Sequence, residues 1–304
     1  MSSYLSKMKS ATLLHNPEAG NEGYTKKELK SKIKAGGFKF SYSSTKKKGW
    51  GKIDSGADFI IVAGGDGTVG KVAIKLLDKK LNKKHCIALL PLGTANNIAK
   101  TLGITAEAKE IIQSWHDKKL KKFDVGRIRN LPSAKFFLES FGYGVFPLLM
   151  QKMKHQDEKL MNTPEKKLDV AIKLLQEIIL SYEPPYCQLE IDGTDHSGKF
   201  IMVEIMNIQS IGPNLVLSPD GDPGDGVFEV VLIPENQKGK FLSYVLSTIK
   251  GTEQSYRFDV IKAKSVRIEC NEPHCHVDDE LVKIKKTTEV RIKLMEVMLE
   301  FMVQ

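Results

Sequence analysis

Residues 58–77 read DFIIVAGGDGTVGKVAIKLL. Residues 58–63 are a near-continuous apolar run, as expected of a strand buried on both faces. The chain then turns at Gly64, Gly65, Asp66, Gly67 and Thr68. Over 68–80 the apolar residues Val69, Val72, Ala73, Leu76 and Leu77 fall on one face at helical spacing. A buried strand that turns on glycines into an amphipathic helix is the unit of a parallel α/β sheet. Ligands of such sheets bind outside the strand carboxyl ends. Three glycines let the backbone approach a phosphate, and the helix start points N–H groups at it. Asp66 beside a phosphate needs a cation or a substrate hydroxyl between them; its other role is a helix N-cap. The P-loop pattern GxxxxGK[ST] is absent.

Two more loops repeat the arrangement. The apolar run 11–15 ends at Asn16, Pro17, Glu18, Ala19 and Gly20, followed by a helical pattern over 22–35 with Leu29 and Ile33. The run 86–90 ends at Pro91-Leu92-Gly93-Thr94-Ala95-Asn96-Asn97, where Thr94 caps a helix or bonds a phosphate oxygen. Residues 38–43 alternate as a strand, and 94–102 and 107–115 read as helices. Three polar, glycine-containing loops at one sheet edge point to a ligand more strongly than any one of them.

Beyond residue 122 strands dominate: 123–128, 136–141, 186–191, 200–207, 227–233, 260–261, 265–270 and 288–294. Turn clusters such as Asp192-Gly193 and Asp225-Gly226 separate several of them, as in an antiparallel sandwich or barrel. Helical patterns interrupt at 168–182 and 238–250. The expected domains are 1–122, α/β, and 123–304, β-sandwich, with the last residues returning to the first domain.

The chain has 304 residues, 41% hydrophobic and 27% charged, which excludes global disorder and low-complexity classes. Lys plus Arg is 46 against 37 Asp plus Glu, a formal charge of +9 that favours anionic partners. The lysines are scattered and no nucleic-acid reading motif is present, so nucleic acid is not an expected partner. Cys86, Cys187, Cys270 and Cys275 are widely spaced, and no apolar leader or membrane-spanning run stands in the sequence. Those features predict a cytoplasmic protein with reduced thiols, associating with a membrane only peripherally.

Two acidic groups carry candidate chemistry. Residues 218–226, SPDGDPGDG, hold three carboxylates in six residues among glycines, a donor set for a hard cation such as Mg²⁺. Asp278, Asp279 and Glu280 form the second group, in which Asp278 and Glu280 share a face if extended; one of them could act as general base toward a hydroxyl. Cys270, His274, Cys275 and His276 lack paired metal-ligand spacing. Lys46-Lys47-Lys48 with Trp50 makes a basic, aromatic-tipped loop, and the helix at 168–182 carries a mostly core-facing apolar stripe that could also line a lipid-tail channel.

With GGDGT at 64–68, NPEAG at 16–20 and PLGTANN at 91–97, the chain resembles the diacylglycerol kinase catalytic-domain family, which includes bacterial lipid kinases and sphingosine kinases. Asp124-Val125-Gly126, the PDGDPGDGVFEV stretch and the DDE stretch follow in the family's order. The resemblance implies an N-terminal α/β domain related to those of NAD kinases and phosphofructokinases, a C-terminal β-sandwich domain, and ATP and Mg²⁺ as cofactors. It implies nucleotide contacts from Asn16, Pro17, Gly20, Thr45, Gly64, Gly65, Asp66, Gly67, Thr68, Val69, Gly70, Lys71 and Thr94. It implies a metal site from Asp222, Asp225 and the Val227 carbonyl, with Asp124 in its hydrogen-bond network. It implies Glu280 as proton acceptor with Asp278 beside it, and Asp66 as a third catalytic candidate. Gly70 and Lys71 replace the family's usual Asn and Glu, Asn97 its Asp, Gly224 an aspartate, and Asp279 a glycine.

The implied activity is transfer of the ATP γ-phosphate to a hydroxyl of a diacylglycerol-like or long-chain-base lipid at an anionic membrane surface. Two alternatives stand beside it: an NAD-kinase-like enzyme with a soluble substrate, and a catalytically weak nucleotide-binding regulator, which Lys71 and Gly224 motivate. A homodimer is compatible with either kinase reading.

Overall fold

The computed structural model describes residues 10–19, 24–51, 56–78, 86–157, 161–212, 215–250, 256–285 and 287–304. The chain divides into two compact units: one runs to Phe123 and includes Val297–Gln304, and the other is Asp124–Glu296. No helix among the described residues is long and apolar enough to cross a membrane.

The first unit is built on β1 (Ser10–His15), α1 (Lys26–Ala35), β2 (Lys39–Ser44), β3 (Phe59–Gly64), α2 (Asp66–Asp78), β4 (Cys86–Pro91), α3 (Asn97–Thr101) and α4 (Ala108–Ser114). β1 pairs in parallel with β2 and β3, and β3 with β4. The end of the last strand of the chain joins the same sheet, Phe301 opposite Ile87. Every residue of β3 is buried, as its unbroken apolar run requires. α1 starts at a capping box between Thr25 and Glu28, worth about 0.5–2 kcal/mol, and buries Leu29 and Ile33. Phe38, Phe59 and Trp115 meet edge to face between the sheet and α4.

The helix expected over 94–102 begins only at Asn97. Asn96 takes a left-handed conformation (φ 52°) and its amide closes onto Gly93, so Thr94 lies in a turn and caps nothing. Trp50 packs beneath Lys75, whose Nζ stands 4.4 Å from the ring centroid, so this aromatic ring is engaged in a cation–π contact within its own unit.

The second unit begins within β5 (Leu120–Arg129) and contains β6 (Phe136–Phe137), β7 (Ser140–Gly144), α5 (Val145–Met153), α6 (Pro164–Ser181), β8 (Tyr186–Ile191), β9 (Thr194–Asp195) and β10 (Gly198–Met206). It continues through β11 (Ser210–Ile211), β12 (Leu215–Val216), β13 (Phe228–Pro234), α7 (Lys238–Lys250), β14 (Asp259–Ala263), β15 (Ser265–Cys270), β16 (His274–Val277), β17 (Glu280–Lys283) and most of β18 (Val290–Met302). Its pairings are antiparallel. β10 pairs with β8 at Gly198 and Lys199, shifts register between Phe200 and Met202, and then pairs with β7 and β13. That irregularity lets one strand serve both layers of a β-sandwich. One face of the strands encloses a core that includes Phe137, Phe141, Phe228 and Val230. The other packs Met202, Met206, Val231 and Ile233 against α5, α6 and α7.

Two expectations fail here. The strand expected over 136–141 is broken at Leu138 and Glu139, and a helix, α5, follows where none was expected. The thiols are not all reduced: Cys187 and Cys270 form a disulfide across 83 residues. They stand directly opposite each other on β8 and β15, with Cα atoms 4.4 Å apart, a pairing that sequence spacing does not reveal. Cys86 and Cys275 take no part in the disulfide. The α6 stripe packs Ala171, Ile172, Leu175, Ile178 and Ile179 into the core, with Leu174 half-buried.

Candidate functional site

In the first unit three strand-end loops are tied to one another. The Asn16 N–H donates to the Ala63 carbonyl at 2.9 Å, and its side-chain amide donates to Thr68 Oγ1 at 3.2 Å. Thr45 joins through its N–H and hydroxyl, both onto the His15 carbonyl. The Leu92 N–H donates to Gly64 O at 3.0 Å. Gly65 and Gly93 then meet backbone to backbone: a methyl group on Gly93 would stand 2.5 Å from the Gly65 Cα, so neither position has room for a side chain.

Asp66 does not project as a lone carboxylate. It accepts from the N–H of Asn97 at 2.8 Å and of Ile98 at 3.0 Å, capping α3 from 31 residues away. Its carboxylate fixes the third loop to the second. Thr68 and Val69 are buried, so their contribution to a ligand is backbone. Lys71 and Thr94 are exposed, Gly67 and Gly70 half-buried, and Pro17 exposed beside Glu18, whose carboxylate pairs with Lys46. Gly20 lies outside the described residues.

In the second unit the DDE turn is held from below. The Asp278 carboxylate accepts from the N–H groups of Leu138, Glu139 and Ser140, and its own N–H donates to Ser140 O at 2.8 Å. Burial around that carboxylate outweighs these bonds and pushes its pKa up to about 7. Asp278 clamps the turn, with a left-handed backbone (φ 50°). Glu280, two residues on, is exposed at the start of β17.

Beneath the turn lies a pair that the sequence did not single out. His276 and Glu204 are both fully buried, with Nε2 2.9 Å from each carboxylate oxygen, and His276 Nδ1 is 2.9 Å from the Asp278 carbonyl. Burial disfavours the charged ring, but the Glu204 charge and these hydrogen bonds prevail and raise its pKa. Gly142 makes the room, since a methyl group there would stand 2.3 Å from Glu204 Oε1. The pairing of Glu204, on β10, with His276, on β16, spans 72 residues, beyond any local pattern.

The 218–226 loop is braced internally. Asp222 Oδ1 accepts from Gly224 N–H, Asp225 Oδ1 from Val227 N–H, and Asp225 Oδ2 pairs with Lys262 at 3.1 Å. Asp124 splints it, accepting from Gly226 N–H at 2.9 Å while its own N–H donates to Pro223 O. Asn207 anchors Asp124 through its side-chain amide. The donors are hard oxygens. Next to them Glu229, 2% exposed, has two carboxylate oxygens without a hydrogen-bond partner. Oxygen donors of this kind suit Mg²⁺. Among the described residues, however, no three Asp, Glu, His or Cys are grouped so as to hold a metal ion by themselves, so a backbone carbonyl such as that of Val227 would have to complete the set.

A parallel α/β unit with three joined strand-end loops, and a sandwich unit presenting carboxylates on turns, together have the parts of a phosphotransferase. The diacylglycerol kinase catalytic domain matches residues 10–128, and the YegS C-terminal NAD kinase beta sandwich-like domain matches residues 153–299. The chain belongs to the diacylglycerol kinase catalytic-domain family, a family of lipid kinases. The diacylglycerol kinase of Bacillus subtilis (strain 168) is 24% identical over 277 residues, covering 87% of this chain and 86% of its own. That of Staphylococcus carnosus (strain TM300) is 23% identical, covering 86% and 84%. A diacylglycerol kinase crystal structure from Bacillus anthracis str. Sterne superposes with a TM-score of 0.70 at 21% identity, covering 98% of each chain. An NAD kinase from Archaeoglobus fulgidus in complex with ATP gives a TM-score of 0.51 at 13% identity over 97% of this chain and 93% of that one.

Proposed function

We propose that this protein is an ATP- and Mg²⁺-dependent lipid kinase that phosphorylates the free hydroxyl of a diacylglycerol-like lipid, with a long-chain base as the other acceptor class. The observation that carries the reading is the bonded set of strand-end loops around Asn16, Gly65 and Gly93, which presents backbone N–H groups and a helix start at one sheet edge. In this scheme those loops seat the triphosphate, Asp66 keeps the second and third loops in register, and Lys71 adds positive charge.

The lipid hydroxyl oxygen forms a bond to the γ-phosphorus as the bridging bond to the β-phosphate breaks, and ADP departs. Glu280 accepts the hydroxyl proton; Asp278 and the Glu204–His276 pair hold the turn that carries it. Asp222, Asp225 and the Val227 carbonyl would hold Mg²⁺, whose charge offsets that of the acidic loop. Phosphoryl transfer of this kind depends mostly on positioning and charge neutralisation. Exposed Lys46, Lys47 and Lys48 support recruitment to an anionic bilayer, at about 1 kcal/mol per well-placed lysine.

The NAD-kinase-like fold supports a second reading, a soluble acceptor. Incubation with MgATP radiolabelled in the γ-phosphate, a lipid extract and NAD decides between them. The proposal expects label in the lipid phase; label in the dinucleotide alone overturns it, and bound ATP without any transfer favours a regulator.

A further inference from the structure

Glu204, Gly142 and His276 stand in one row across three strands. Gly142 of β7 is opposite Glu204 of β10 on one side and His276 of β16 on the other. Val203 and Ile205 enter the sandwich core, as do Cys275 and Val277, so alternation turns Glu204 and His276 to the opposite face. There Phe146 of α5 meets the His276 ring edge to face at 4.8 Å. Strands two places apart are separated by about 9.5 Å, so side chains on β10 and β16 meet only where β7 leaves a gap. Gly142 is that gap, since a methyl group there would stand 2.3 Å from Glu204 Oε1.

Both ring nitrogens of His276 face acceptors. Nε2 is 2.9 Å from each Glu204 oxygen, and Nδ1 is 2.9 Å from the Asp278 carbonyl oxygen. A carboxylate and a carbonyl can only accept, so each nitrogen must carry a proton, and the ring is an imidazolium that matches the Glu204 charge. A neutral ring has one donor and makes one of these bonds, not both. The surroundings agree. Glu204 from β10 and Asp278 from the turn favour the charged ring, while β7, α5 and β17 face it with Gly142, Phe146 and Leu281, none of them titratable.

The bond to Asp278 has a directional consequence. The Asp278 carboxylate is already held by the N–H groups of Leu138, Glu139 and Ser140. The histidine bond to its carbonyl is a second fixed point on the same residue. With both held, the peptide plane that leaves Asp278 is fixed in its left-handed turn, and with it the path toward Glu280.

We propose that His276, locked by Glu204 across Gly142, is a positioning residue for Glu280: it orients the peptide that follows Asp278 and so aims the carboxylate that takes the hydroxyl proton. This rests on the reading of Glu280 as that acceptor and adds the device that aims it.

Two measurements test the lock and the aim separately. Long-range ¹H–¹⁵N spectra of the full chain, with ¹⁵N in the histidine rings, read the ring protons directly. At about pH 8, where an ordinary histidine is neutral, one ring should carry protons on both nitrogens, and its signal should vanish in His276→Phe. A neutral His276 ring at that pH overturns the proposal. Kinetics with diacylglycerol and MgATP read the aim. Misplacing a reacting group by about 1 Å can cost about 10²-fold, so His276→Phe should lower kcat by about ten- to about a hundredfold with the KM for ATP unchanged. Glu204→Ala should lower kcat likewise. Glu204→Gln should recover most of that loss, because its amide N–H can donate to Nε2 of a neutral ring whose Nδ1–H still reaches the Asp278 carbonyl. Equal losses in Glu204→Gln and Glu204→Ala, or wild-type kcat in His276→Phe, overturn the proposal. A wild type that transfers no phosphate removes the Glu280 reading and the aiming role together, and the ring spectrum then still decides whether the lock exists.

Discussion

The two candidate regions are built by opposite means. At the loop edge of the first unit the backbone does the work: Asn16, Gly64, Gly65 and Gly93 are joined by hydrogen bonds and close contact, and the Asp66 carboxylate serves as a helix cap. In the second unit side chains do it: Asp278 clamps a turn, Asp225 pairs with a lysine, Glu229 is buried without a partner and Glu280 stands exposed. A site made of backbone fails when its shape changes. A site made of side chains fails when one functional group is removed.

The sharpest form of that contrast is Glu280→Gln. Removing a general base costs about 10²–10⁴-fold in turnover, with ATP affinity little changed, as steady-state kinetics would read. Turnover equal to wild type would move the base elsewhere. The counterpart in the first unit is Gly93→Ala. A Cβ 2.5 Å from the Gly65 Cα forces the two loops apart, so ATP affinity in equilibrium binding should fall more than tenfold. Unchanged affinity would detach the loops from the nucleotide.

Asp66→Ala should have a smaller effect. Loss of the α3 cap costs about 0.5–2 kcal/mol, and at roughly 2–4 °C per kcal/mol the melting temperature falls measurably while the fold persists. An unaltered melting temperature would deny Asp66 its structural role.

The smallest effect concerns pH. Asp278 has a folded pKa pushed up to about 7, and that of His276 is raised above the usual histidine value. Both folded values lie above the unfolded ones, so each stabilising contribution is complete at low pH and is lost as pH rises through the folded value. Asp279 reinforces the first shift and Glu204 the second. The melting temperature of the chain should therefore decline as pH rises from about 4 to about 7, where Asp278 and Glu229 both titrate, and His276→Gln should remove the decline that lies above the ordinary histidine value. A melting temperature that climbs across this range would reverse the sign.

The same contrast explains what could be read from the chain. Strand, glycine turn and helix follow one another within twenty residues at 58–77, so β3 and α2 are written locally. The start of α3 is not, because its cap is Asp66, on another loop. In the second unit the strands are legible through alternation, but their partners are not. The Cys187–Cys270 disulfide and the Glu204–His276 pair exist only once strand register is set. Glu229 looks like one polar member of an apolar strand until its neighbours fill the space around it. α5 escaped notice because Val145, Phe146, Leu148 and Leu149 extend an apolar run that starts in a strand, with Pro147 among them.

The central claim is that a lipid hydroxyl receives phosphate directly from ATP. Purified protein, MgATP radiolabelled in the γ-phosphate and diacylglycerol in anionic mixed micelles test it most directly. The account predicts labelled phosphatidic acid that forms with Mg²⁺, stops on chelation and is lost in Glu280→Gln. Label that stays in ATP or appears only in a soluble acceptor, with diacylglycerol and long-chain bases both unmodified, would contradict it.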